Sequence, residues 1–141
     1  TESWKPIHLL AAHHDSSSVH AFLSMAKVCI VSSLHDGMNL VAKEYIAARR
    51  DGDGVLVLSE FTGAARELTD AVLINPYDTE SFADAIRVAV EMKPAEQRGR
   101  MERMRRTVAE RNVYHWAASF MAALAESSAE PALASGRGSE Q

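Results

Sequence analysis

SLHDGMNLVAKEYIAAR, residues 33–49, decides how the chain is read. An acidic residue and a glycine, Asp36 and Gly37, stand where an apolar strand gives way to a helical pattern. Just before them, VCIV (28–31) is apolar at every position, as a parallel strand covered on both faces requires. Just after them, a helix is expected from about residue 38 to 50, broken by DGDG at 51–54.

Working outward, residues 7–12 form a short apolar run after Pro6 and read as a first strand. Ser16, Ser17 and Ser18 can cap a helix over about residues 19–26. Residues 55–58 and 72–74 give further strands, with a short helical turn at 63–68 between them. Three helices follow, near 79–92, 94–111 and 114–127. The alternation predicts an α/β domain: a Rossmann-like parallel sheet of about four strands with flanking helices. Its bounds are read as residues 1–126, followed by a disordered tail at 127–141, which is small, polar and aperiodic.

A chain of 141 residues buries roughly 70% of its unfolded surface, enough for one core. The net charge is −4 and no long basic block occurs, which argues against nucleic acid or an anionic membrane as partner. No apolar run approaches the ~18 residues of a membrane span. The single cysteine, Cys29, lies in an apolar run, so no disulfide framework exists and a reducing, cytoplasmic setting is expected. The six histidines lack metal-ligand spacing, so no metal and no cofactor are expected. DGDG lacks the remaining acidic positions of a calcium loop and reads as a turn. Met101, Met104 and Val108 share a helical stripe and read as core, and RGRMERMRR (98–106) as a solvated face.

In open α/β sheets, ligands bind beyond the carboxyl ends of strands, where the 32–37 loop falls. Gly37 permits a positive φ or a close ligand approach. The amides of residues 38–41 then form an anion-binding helix start. Asp36 either caps the helix or accepts from sugar hydroxyls. Gly37, Leu40, Val41 and Glu44 are expected on one face. Glu44 is either a surface charge or an acceptor for a ribose diol. His35 is either a polar donor in the site or a solvent-facing residue, and Glu67 is either a brace or a ligand contact.

SLHDGMNLVAKEYIAAR, together with GVLVLSEFTGAARELTDAVLINPYD (54–78), resembles the trehalose-6-phosphate synthases, retaining glycosyltransferases of the GT-B fold. The resemblance extends over about residues 7–125. The spacing Asp36-x7-Glu44 is also similar to the paired-acid pattern of other retaining GT-B enzymes. Ala26–Lys27 departs from the family, which usually carries an acidic residue there.

The resemblance implies the distal part of a C-terminal domain that binds UDP-glucose or another NDP-glucose. Asp36 and Gly37 would meet the glucose, Met38, Asn39, Leu40 and Val41 the glucose and diphosphate through their backbones, and Glu44 the ribose. His14 and Val19 would flank the uracil. The acceptor, glucose-6-phosphate, would be held mainly by an N-terminal domain, and a basic diphosphate clamp would lie upstream. No catalytic nucleophile is implied, since the two carboxylates are on the order of 12 Å apart along a helix. A glucosylglycerol-phosphate synthase or a non-catalytic nucleotide-sugar-binding module are the alternatives, and a homo-oligomer is left open.

Overall fold

The central strand carries the apolar run with the least choice of environment. VLVLS forms β2 (Val55–Ser59), buried at all five positions. In the computed structural model, which describes residues 4–129, β2 lies between β1 (Val28–Val31) and β3 (Val72–Ile74), all parallel. Val28 pairs with Val55 and Val31 with Leu58, and on the other side Ser59 pairs with Ile74.

Successive β2 side chains enter different cores. Leu56 and Leu58 join Cys29, Val31, Tyr45, Ile46, Met101 and Met104 on one face. Val55 and Val57 join Ile74, Ala85, Ala89 and Met92 on the other. The first face is covered by α1 (Ser16–Met25), α2 (Leu40–Ala48) and α4 (Pro94–Glu110), and the second by α3 (Thr79–Glu91). Each fully buried leucine contributes about 1.5–3 kcal/mol relative to exposure. A final helix, α5 (Val113–Ala129), completes the order, and residues 113–127 are exposed throughout.

Three expectations are corrected. The sheet has three strands among the described residues, because residues 7–12 form no ladder and Ile7, Leu9 and Leu10 are exposed. An apolar run becomes a strand only when a neighbour takes its amides and carbonyls, and among the described residues β1 pairs only with β2. The first helix begins at Ser16, capped by Asp15, whose carboxylate accepts the Ser18 amide at 2.8 Å; the serines form its first turn. At the far end, α5 runs on to Ala129, past the expected tail boundary at 127, and the rest of that tail lies outside the described residues.

The end of the sheet away from the carboxyl ends is closed by polar groups. Arg49, 4% exposed, donates to the carbonyls of Ser24 and Asp53 and pairs with Asp51 at 3.1 Å. The Tyr45 hydroxyl donates to the carbonyl of Ala26 at 3.1 Å, and burial pushes its pKa up to about 12. Gly54 has φ +135°, and a Cβ there would lie 2.4 Å from that hydroxyl. The DGDG segment is therefore a turn that only glycine can close.

Candidate functional site

The loops leaving the carboxyl ends of β1 and β2 are bonded to each other. The Asp36 amide donates to the Phe61 carbonyl at 3.2 Å. The Gly63 and Ala64 amides donate to the carbonyls of Asp36 and Met38, both at 2.9 Å. Asp36 and Thr62 form an isolated parallel bridge. A 3-10 turn, Gly63–Arg66, thus supports the loop that precedes α2. A Cβ on Gly63 would come within 2.0 Å of the Gly37 carbonyl oxygen. Gly63 is the glycine that the close approach requires, and nothing within 4 Å of Gly37 would meet a Cβ there. Gly37 is also not among the residues with positive φ, so the expected left-handed turn falls elsewhere.

It falls on Asn39, with φ 73°. Asn39 is the N-cap of α2, and its Oδ1 accepts the Ala42 amide at 2.9 Å. The helix therefore starts at Leu40, two residues later than expected, and Gly37 precedes its face. The amides of Leu40 and Val41, in the first turn, have no intrahelical acceptor. They form the anion-attracting end of α2.

Asp36 is engaged by its own loop. One carboxylate oxygen accepts the Met38 amide at 3.1 Å, and the other accepts Asn39 Nδ2 at 2.9 Å. The Asn39 side chain and then the Met38 amide hold the carboxyl below its ordinary pKa, with His35 adding a smaller charge effect. Asp36 is thus a fixed anion that braces the turn and retains further acceptor capacity. Beside it opens a cleft of about 480 Å3, lined by His35, Asp36, Gly37, Glu60, Gly63 and Arg66 among others.

Glu44 lies in the second turn of α2 and is exposed. It shares a cleft of about 380 Å3 with His14, Val19, Ser16, His20 and Leu23. His14 and Val19, predicted from a distant segment, therefore stand with Glu44. The His14 ring meets Phe22 edge to face at 5.8 Å, and its Nε2 is buried without a hydrogen-bond partner. Glu67 is a brace, paired with Lys43 at 2.8 Å. Along α2 the order is Asp36 before the start, the free amides of Leu40 and Val41 at the start, and Glu44 one turn on. The role of Gly63 escaped the sequence reading. FTGAA displayed the glycine, but the carbonyl that it must clear lies on another loop.

A parallel α/β sheet with an open helix start and flanking carboxylates at its carboxyl end has the architecture of the Rossmann-like α/β domains, which place ligands at that end. Comparison with known proteins narrows this class. The profile of glycosyltransferase family 20 matches residues 1–126, and the chain belongs to that family. It is 50% identical over 119 residues to the trehalose-6-phosphate synthase of Mycolicibacterium smegmatis (strain ATCC 700084 / mc(2)155), covering 84% of this chain and 24% of that protein. An E. coli structure with bound UDP-2-fluoro glucose superimposes with a TM-score of 0.81 at 41% identity, covering 86% of this chain and 27% of that one. An alpha,alpha-trehalose-phosphate synthase from Burkholderia xenovorans, solved with glucose-6-phosphate, gives 0.81 at 42% identity, with the same coverage. The chain spans about a quarter of the length of the curated relatives it matches.

Proposed function

We propose that this chain is the donor-binding part of a longer retaining glucosyltransferase that moves glucose from UDP-glucose to glucose-6-phosphate, yielding trehalose-6-phosphate. The observation that carries this reading is the grouping of Glu44, His14 and Val19 in one cleft, next to the open amino end of α2. Similarity to proteins solved with UDP-2-fluoro glucose and with glucose-6-phosphate supports the substrate classes.

In this reading, the uracil lies between His14 and Val19, and Glu44 accepts hydrogen bonds from the ribose diol. The diphosphate meets the amides of Leu40 and Val41, and Met38 and Asn39 complete the backbone contacts to phosphate and glucose. Asp36 and Gly37 face the glucose. When the glucosyl bond breaks, negative charge grows on the leaving diphosphate. Preorganised amides at a helix start stabilise such charge without reorganising. Asp36 acts as an acceptor of sugar hydrogen bonds through the lone pairs that its two loop contacts leave free.

The test is an acceptor assay on the full-length protein with UDP-glucose. Glucose-6-phosphate should yield trehalose-6-phosphate with the α configuration of the donor kept. Transfer to glycerol-3-phosphate with none to glucose-6-phosphate would replace this reading with the sister reaction.

A further inference from the structure

We propose that Arg66 binds a substrate phosphate, giving the cleft beside Asp36 a cation supplied by this domain. The inference rests on the donor-site reading above and adds a residue to that site. Arg66 ends the 3-10 turn and lines the 480 Å3 cleft with Asp36, Gly37 and Gly63. It is exposed and its side chain has no hydrogen bond or ion pair among the described residues, although Glu60 lines the same cleft. The neighbouring cation, Lys43, is already committed to Glu67 at 2.8 Å.

Its placement is not left to a loose loop. The amides of Gly63 and Ala64 are bonded to the carbonyls of Asp36 and Met38, so the turn bearing Arg66 is fixed to the loop bearing Asp36. An unpaired guanidinium held there presents a planar fork of donors that matches phosphate oxygens. Both substrates of the proposed reaction carry phosphate: a diphosphate on the donor and a monoester on the acceptor. The shared chemistry is recognition of phosphate oxygens, and the kinetics distinguish the two sources.

The experiment uses the full-length enzyme with Arg66→Gln and Arg66→Lys. It records the KM for UDP-glucose, the KM for glucose-6-phosphate and the Kd of UDP by calorimetry. Thermal unfolding confirms folding, which the exposed position should preserve. Arg66→Gln should raise at least one constant threefold or more, and Arg66→Lys should recover part of the loss. A rise confined to the glucose-6-phosphate KM assigns the acceptor phosphate, and a rise in UDP Kd assigns the diphosphate. All three constants within threefold of wild type would overturn the proposal. Glu44→Gln, run in parallel, separates the two readings. If it weakens UDP while Arg66→Gln changes none of the three constants, only the Arg66 proposal falls; if Glu44→Gln leaves UDP binding unchanged, the donor-site reading falls, whatever Arg66→Gln does.

Discussion

Asn39 Nδ2 donates to Asp36 Oδ2 at 2.9 Å, while Asn39 Oδ1 accepts the Ala42 amide at the same distance. One amide side chain thereby caps α2 and holds the loop carboxylate, from a backbone at φ 73° that asparagine tolerates better than most residues. Asn39→Ala should destabilise the protein by about 1–3 kcal/mol, combining a lost cap with left-handed strain. Asn39→Gly should cost less, because glycine accepts that φ. Urea unfolding of the two variants checks the order; equal losses would remove the backbone contribution.

The same contact sets a pH dependence. The folded-state pKa of Asp36 is depressed, first by Asn39 and then by the Met38 amide. A depressed carboxyl contributes stability that is present above its unfolded pKa of about 3.9 and is lost as pH falls through the folded value. Asp15 and Asp78, N-caps bonded to Ser18 and Ser81, are depressed in the same direction. Stability should therefore fall below about pH 4. Carboxyl titration by NMR should show the Asp36 pKa rising in Asn39→Ala while Asp15 and Asp78 stay fixed.

Gly63 and Gly37 should respond oppositely to a methyl group. Gly63→Ala forces a Cβ onto the Gly37 carbonyl, 2.0 Å away before relaxation, and should cost about 1–3 kcal/mol. Gly37→Ala meets no atom within 4 Å and should keep the stability of wild type. If the donor glucose approaches Gly37, that variant loses transfer while remaining folded. Thermal unfolding beside activity separates the two effects.

The central strand was readable because residues 55–58 leave no polar face, and β2 is buried throughout. VCIV was read as covered on both faces, but β1 buries Cys29 and Val31 and leaves Ile30 exposed, because no element among the described residues covers Ile30 on that side of this edge strand. Glu44 was placed by counting along a helix, which needs only periodicity. Residues 7–12 misled because apolar composition does not reveal whether a strand neighbour exists. Gly63 was missed for a related reason: its role depends on the Gly37 carbonyl of another loop, which local propensity does not encode. Asn39 is a local cap, three residues from both Asp36 and Ala42, and was passed over because the helix was expected to start at residue 38. Arg66 is ordinary in sequence and is singled out only by its unpaired position in the cleft.

The isolated chain should not turn over. In the proposed reading, a helix start and one row of acceptors bind part of the donor, but holding two sugars in register supplies roughly 7–11 kcal/mol of barrier lowering. Tyr114, Trp116, Phe120 and Met121 on α5 are exposed, and apolar surface of that kind favours self-association. Residues 1–141 alone should show no glucosyl transfer and should elute at a concentration-dependent size. Turnover by a clean preparation would require an acceptor site within this chain.

Titration of UDP into the full-length protein, wild type against Glu44→Gln, tests the donor-site assignment most directly. Glu44 is exposed and has no internal partner among the described residues, so its replacement should leave the fold and thermal stability unchanged. Loss of a charged hydrogen-bond acceptor for the ribose costs about 1.5–3 kcal/mol, which is roughly a 10- to 150-fold rise in Kd. A Kd within twofold of wild type, on a folded variant, would contradict the account and remove the nucleotide from this cleft.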